Sequence, residues 1–541
     1  MARKKDDLER EAFGCDIGNG FGSISELFDP TQDSRLMLTS ANGLNANVGM
    51  PTDAYVTPPD AKPIWVYDPL EGSARRQQIL RDPANSVRAI KTQLRQDHLN
   101  LPGVKVPVSP YDVYGAVARD LVQLGNQQRI GDGRNPIYDL VFTYPAAFSQ
   151  YPDELTLLNR MQESIENVIL DDHHLHVIGR LPEPAAAAID YLHYLQYNAP
   201  DKKPDLKEFT VLVFDLGHGT FDLSVVTARS KGEPYQVWAN SGLPEDCGGR
   251  DFTRRLYDEA VDLLLQEGYK LQNARDEEEL LREVEDAKHT LSDAEEAVIE
   301  HMKIGEATYS NLAITRSRFE ELTQDMLTSM LIKVQDMLDE QSASGRKIDA
   351  VILVGGGCHM PMIQNGLNQL LGGSLPVYKF RPSTAVSFGA ARYAYNLTKT
   401  KEDNEDDEDK KDSKKQDPQK KDQPFVEFHA ECTYGVLDEN TSSLAGEVRQ
   451  LIPKGAVLPT SASLPGVFYT SGGYKSCRIL RLRNGQQPGT DPANWEDIVW
   501  LHFDIPNDRY QLSITVEQDR NITVTLKGSD GTAYTRSTKE S

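Results

Sequence analysis

Long apolar runs are absent from this 541-residue chain. No stretch reaches the roughly 18 residues that cross a bilayer as a helix, so no membrane partner is expected. Cysteine is scarce. Cys15, Cys247, Cys358, Cys432 and Cys477 are scattered and form no Cys-x-x-Cys pair, which argues against a disulfide framework and a zinc site alike. Positive charge is also short: 58 Lys and Arg face 82 Asp and Glu, a formal net charge of -24 that repels phosphodiester backbones. Nucleic acid is not an expected partner. No Walker A sequence occurs, which excludes a P-loop. Met1 to Arg10 is too charged for a secretory apolar segment, and a cytoplasmic location is expected.

What is present divides the chain. Hydrophobic residues make up 39% and charged residues 26%, ordinary for a folded protein, and the length calls for three or four units. Residues 1–11 read as a flexible N-terminus. From 12 to 398, short apolar runs such as Tyr138 to Thr143, Val211 to Phe214 and Ala350 to Val354 alternate with helical patterns, as in an α/β protein. From 399 to 424, Lys, Asp and Glu crowd out aliphatic residues, and 401–424 holds ten acids against seven lysines. That is a solvated linker. From 425 to 541, turn residues and alternating segments such as Gln511 to Glu517 and Asn521 to Lys527 predict an all-β module.

Within the first part a weak repeat links Phe13-Gly-Cys-Asp-Ile-Gly-Asn-Gly-Phe to Val213-Phe-Asp-Leu-Gly-His-Gly-Thr-Phe. Two related lobes follow, the second starting near 209. In each copy an Asp ends an apolar strand, glycines follow, and then comes a second strand, a hairpin whose bend lets backbone N–H groups approach phosphate oxygens. The aspartates, Asp16 and Asp215, suit Mg2+ held through water. A dinucleotide fingerprint needs a helix after the glycines, and here a strand follows. Either loop alone is equally well a plain hairpin turn. A third element, Val351-Ile-Leu-Val-Gly-Gly-Gly-Cys-His-Met-Pro, ends a strand before a helical stretch from Met362 to Leu371, and a flat ligand can approach Gly355, Gly356 and Gly357 closely. An ordinary strand-to-helix turn has the same pattern.

These three loops, in this order, resemble the two phosphate motifs and the adenosine motif of the actin, sugar-kinase and heat-shock ATPase superfamily. Arg180-Leu-Pro-Glu-Pro-Ala-Ala-Ala-Ala-Ile, Phe142-Thr-Tyr-Pro-Ala-Ala-Phe with Pro145, Gly248-Gly-Arg-Asp-Phe and Thr315-Arg-Ser-Arg-Phe-Glu-Glu-Leu narrow the resemblance to the heat-shock 70 kDa (DnaK-type) chaperones over residues 12 to 397. The resemblance implies a two-lobed actin-like (ribonuclease H-like) ATPase domain followed by a small all-β sandwich. It also implies ATP or ADP with Mg2+ between the lobes. Lys91, Glu183, Asp215 and Thr220 would then serve catalysis. Asp16, Gly18, Asn19, Gly20, Gly217, His218, Gly219, Gly249, Gly355, Gly356, Gly357 and His359 would contact nucleotide. Between Glu278 and Ala294, about 100° per residue puts Leu280, Val284, Ala287 and Leu291 on one face, with Glu285, Lys288, His289 and Ser292 roughly 120° away. The family uses that second face for adenine and ribose, although a solvated face looks the same.

Several positions depart from the family. Asn19 replaces a threonine, His218 a glycine, and His289 and His359 replace arginines. The family's short hydrophobic interdomain linker is missing from the charged run, which resists burial, so interdomain coupling is in question. In the β-module, Leu451-Ile-Pro-Lys-Gly-Ala-Val-Leu-Pro-Thr and Trp500-Leu-His-Phe-Asp-Ile-Pro-Asn-Asp resemble pieces of a peptide-binding sandwich. Phe468, Leu437 and Leu444 are its pocket candidates, with plain core as the competing reading. No helical lid precedes Ser541, and captured peptide is expected to leave quickly. His173, His174 and His176 follow Asp171 and Asp172; alternation along one strand would give a metal site, but a structural strand feeding the Glu183 motif is favoured.

Three functions compete. The first is an ATP-dependent chaperone-like protein that binds extended polypeptide, with a co-chaperone and slow hydrolysis. The second is a non-cycling ATP-binding scaffold that docks partners through the β-module. A small-molecule kinase is the third, and no acceptor-site motif supports it.

Overall fold

The computed structural model describes residues 11–29, 32–37, 49–66, 82–151, 153–197, 208–229, 233–299, 302–304, 307–309, 312–406, 425–438, 446–464, 468–469, 475–483, 486–506 and 509–539. The chain is a mixed α/β protein. Its first sheet runs His176–Pro182, Asp139–Tyr144, Phe13–Ile17, Phe21–Glu26 and Arg35–Leu36, with Met50–Pro51 also paired to Phe21–Glu26. The second runs Val377–Lys379, Ala350–Val354, Glu208–Leu216, Phe221–Arg229, Tyr235–Leu243, Val426–His429 and Val457–Leu458. Each sheet has an antiparallel hairpin at its centre with parallel strands on the flank, so the sequence repeat corresponds to a repeat in topology.

The apolar strands are buried on both faces, and two helices explain why. Glu183–Tyr197 and Ala385–Asp406 cross between the sheets, where Ala185 to Ala188 are fully buried. Small residues let these backbones meet: a Cβ on Gly389 would lie 1.8 Å from the Ala186 carbonyl oxygen. Asp190 pins the pair. Its carboxylate accepts from Arg392 Nε at 3.0 Å and Arg381 Nη1 at 3.2 Å. Among the described residues no helix is long and apolar enough to cross a membrane.

Beyond residue 424 two antiparallel sheets form. One holds Glu447–Ile452, Tyr434–Asp438, Lys475–Leu482 and Trp495–Phe503; the other holds Thr460–Ser463, Arg509–Val516, Ile522–Gly528 and Ala533–Ser537, with Phe468–Tyr469 paired to Arg509–Val516. The expected absence of an apolar docking segment is corrected by the strand just after the charged run. Val426–His429 pairs in parallel with Tyr235–Val237 at the edge of the second sheet, burying Val426 and Phe428. The His429 ring stacks on Trp238 with centroids 3.8 Å apart. A short apolar strand can dock where a hydrated charge run cannot, because pairing satisfies its backbone while its side chains leave water.

Side chains also join the β-module to the half that holds the first two sheets. Arg520, 7% exposed, bonds Glu154 at 2.6 Å and also bonds Glu431. Arg481 donates to the Ser149 carbonyl at 3.0 Å, Arg180 donates to the Asp519 carbonyl, and Asn159 donates to the Thr538 carbonyl at 2.9 Å. One apolar cluster accordingly runs from the central helices through the second sheet into the β-module.

Candidate functional site

Between the lobes lies a cavity of about 440 Å³. Three glycine loops reach it because each ends a buried strand: Gly18 to Gly20 after Phe13–Ile17, Gly217 to Gly219 after Glu208–Leu216, and Gly355 to Gly357 after Ala350–Val354. Gly355 adopts φ +81°, and a Cβ there would sit 2.3 Å from the Leu216 carbonyl oxygen, so only glycine fits that turn. The Gly217 loop is fastened to the start of helix Gly249–Gln266, since Gly249 N donates to Gly217 O at 2.9 Å and Arg250 N to His218 O at 2.8 Å. Thr52 Oγ1 holds the other loop through the Gly18 carbonyl at 3.0 Å.

Helix Ala274–Asp293 buries Leu280, Val284, Ala287 and Leu291, and its adjacent face turns Glu285, Lys288, His289 and Ser292 to the cavity. Lys288 is tethered there, donating to Gly249 O at 3.0 Å and to Thr253 Oγ1 at 2.7 Å. His359 completes this wall. Burial lowers the pKa of His289, and neighbouring Lys288 lowers it further.

Charge concentrates at the opposite end. The Lys91 ammonium bonds Glu183 and lies 3.9 Å from Asp16, whose Oδ1 also accepts from Thr143 Oγ1 at 2.9 Å. Burial opposes the ammonium, but Glu183 and Asp16 outweigh it and hold the Lys91 pKa above its ordinary value. Burial pushes Glu183 up to about 8, Lys91 acting the other way and Asp16 adding to the rise. Asp215 is raised well above the carboxylate range by burial and by the neighbouring carboxylates. Asp222 joins them, its pKa raised to about 6 by burial.

Four carboxylates around one ammonium leave excess negative charge in a buried place. That donor set fits a divalent cation. Among the described residues no group of three or more His, Cys, Asp or Glu is arranged to hold a metal ion directly. Asn19 contributes a further unfilled position: it is 6% exposed and its Oδ1 is buried without a hydrogen-bond partner.

Every residue expected to serve catalysis or nucleotide contact lines this one cavity: Lys91, Glu183, Asp215, Thr220, Asp16, Gly18, Asn19, Gly20, Gly217, His218, Gly219, Gly249, Glu285, Lys288, His289, Ser292, Gly355, Gly356, Gly357 and His359. Phe21, which also lines the cavity, and Asp222, buried behind it across from Asp215, were missed. Hairpin register was the available signal for Asp222, because it stands directly across from Asp215 as Ser23 stands across from Asp16. Its carboxylate accepts from Thr220 Oγ1 at 2.6 Å and from Ala147 N at 2.7 Å.

The β-module candidates are not brought together in the same way. Leu437 packs with Val448, Leu480 and Trp495 as a small core. Leu444 lies outside the described residues, and Phe468 is in a strand whose side chains are not described. The three histidines do not share a strand: Asp171 and Asp172, at φ +50° and +65°, turn the chain so that His173–His174 pairs back on Ile169–Leu170, whereas His176 starts a separate strand beside Asp139–Tyr144. His173 instead stacks on Tyr138 at 4.4 Å, and His176 Nδ1 lies 3.3 Å from Asp139.

Against known proteins, the model of the Hsp70 protein family matches residues 174–406, which take in the second glycine loop, the helix Ala274–Asp293 and the third glycine loop.

Proposed function

We propose that this chain, whose residues 174–406 match the model of the Hsp70 protein family, binds Mg-ATP between its lobes, hydrolyses it slowly and so sets how tightly the β-module holds an extended polypeptide. The observation that carries this reading is the meeting of three glycine loops with Lys91 and three carboxylates in one interlobe cavity. When bound, ATP supplies the phosphoanhydride to be cleaved and Mg2+ offsets the carboxylate charge. Lys91 is buried and fixed, so its ammonium stabilises negative charge developing beside it without reorganising. The Thr220 hydroxyl donates its hydrogen bond to Asp222, which leaves its oxygen lone pairs free to accept from an attacking water. Glu183 and Asp215 orient that water.

A route toward the β-module supports the coupling. Ala147 N–H binds Asp222, and Ser149, in the same turn Ala146–Gln150, accepts from Arg481 of the β-module. Arg180, three residues before Glu183, contacts Asp519 of the β-module. An extended apolar polypeptide is the expected client, with a co-chaperone to accelerate the cycle, at a cytoplasmic location. The test is peptide affinity measured with ATP and with ADP by the full-length protein. Affinity is expected to differ between the two states, and equal affinity would sink the reading.

The scaffold reading keeps one specific support: Asn19 and His218 crowd the phosphate loops with side chains. Single-turnover cleavage of ATP separates the two, and brisk cleavage excludes the scaffold.

A further inference from the structure

Two of the residues that depart from the family sit on each other's loops. A Cβ built on Gly219, in the second lobe, would lie 2.1 Å from Asn19 Nδ2 and 2.7 Å from Asn19 Cγ, and Asn19 belongs to the first lobe. Reciprocally, a Cβ on Gly20, in the first lobe, would lie 3.1 Å from His218 Cγ and 3.2 Å from Nδ1, and His218 belongs to the second. In both cases the three nearest atoms all come from the single opposing side chain. Neither glycine has a positive φ, so backbone conformation does not require glycine at either place. What requires it is the room taken by the opposing side chain.

We propose that Asn19 and His218 form a reciprocal interlobe clasp that holds the first two glycine loops together, and that a polyphosphate settling between those loops displaces both side chains. The proposal rests on the nucleotide reading only for its second half. The clasp itself is a property of how the two loops approach each other. Asn19 Oδ1 marks it as poised to change partners, since an acceptor buried without a donor is stabilised when one arrives. His218 is backed by Glu285, whose Oε1 lies 3.8 Å from Nδ1, so the imidazole is held between that carboxylate and the glycine it covers. Asn19 and His218 act here as positioning residues. They set when the two loops meet, with no bond to the reacting atoms.

The test uses full-length protein and has two arms. In the first, ligand-free melting is compared for Gly219→Ala, Asn19→Gly and the pair together, and likewise for Gly20→Ala with His218→Gly. Each alanine is expected to lower the melting temperature by about 3 °C alone and by much less once the opposing side chain is gone. A merely structural glycine would give the same loss in both backgrounds, and that additivity overturns the clasp. In the second arm, stopped-flow association of a fluorescent ATP analogue with Mg2+ is expected to quicken several-fold in His218→Gly and in Asn19→Gly. Unchanged or slower association in both overturns the gating role. If no variant binds the analogue, the nucleotide reading fails while the melting arm still decides the clasp.

Discussion

Lys91 carries the largest single consequence at the residue scale. Its ammonium lies beside Asp16 and Glu183, and truncation removes a fixed cation from the site. Lys91→Ala is expected to slow single-turnover ATP cleavage by about 10²–10³-fold while Mg-ATP still binds. A variant that cleaves at the wild-type rate would remove Lys91 from the chemistry. The carboxylates add a pH dependence. Glu183 rises from 4.5 to about 8 and Asp222 from 3.8 to about 6, so the ligand-free folded state binds more protons than the unfolded chain between roughly pH 4 and 8. Their contribution to stability is therefore present at low pH and lost as pH rises through that window. Melting temperatures at a series of pH values should fall more gently for Asp222→Asn than for the wild type, and identical slopes would refute the assignment.

At the scale of elements, the helix pair between the sheets is the piece most sensitive to substitution. Asp190→Ala leaves Arg392, 1% exposed, with only Asp33 and the Gln32 carbonyl, and the expected loss is about 3 kcal/mol in denaturant unfolding. A cost within experimental error would mean that the helices need no ion pair to hold their crossing. These elements were legible in the sequence because their signals are local. A hairpin with glycines at its bend, or a helix with Leu280, Val284, Ala287 and Leu291 in phase, is fixed by covalent geometry within a few residues. Parallel pairing is not local. Nothing in Phe425 to His429 names Tyr235 as its neighbour, which is why the docked strand was not foreseen. Leu437 shows the converse limit, since an apolar residue in a β-module has the same appearance whether it lines a groove or packs against Trp495.

Over the whole molecule, the two-sheet half and the β-module share a core and a buried cation. Arg520→Met removes the partner of Glu154 and Glu431 and leaves Glu431 with Asn240 as its remaining donor. By calorimetry the two halves are then expected to melt separately, and the wild type in one transition. A single cooperative transition in the variant would show that the strand and the apolar cluster suffice. The strand Val426–His429 has a consequence for solution behaviour as well. It covers the rim of the second sheet at Tyr235–Val237, whose free N–H and C=O groups would otherwise offer a template to any passing chain. A chain cut after Asp406 should therefore self-associate through that rim at concentrations where the full-length protein scatters no light, so the β-module also shields its neighbour against aggregation.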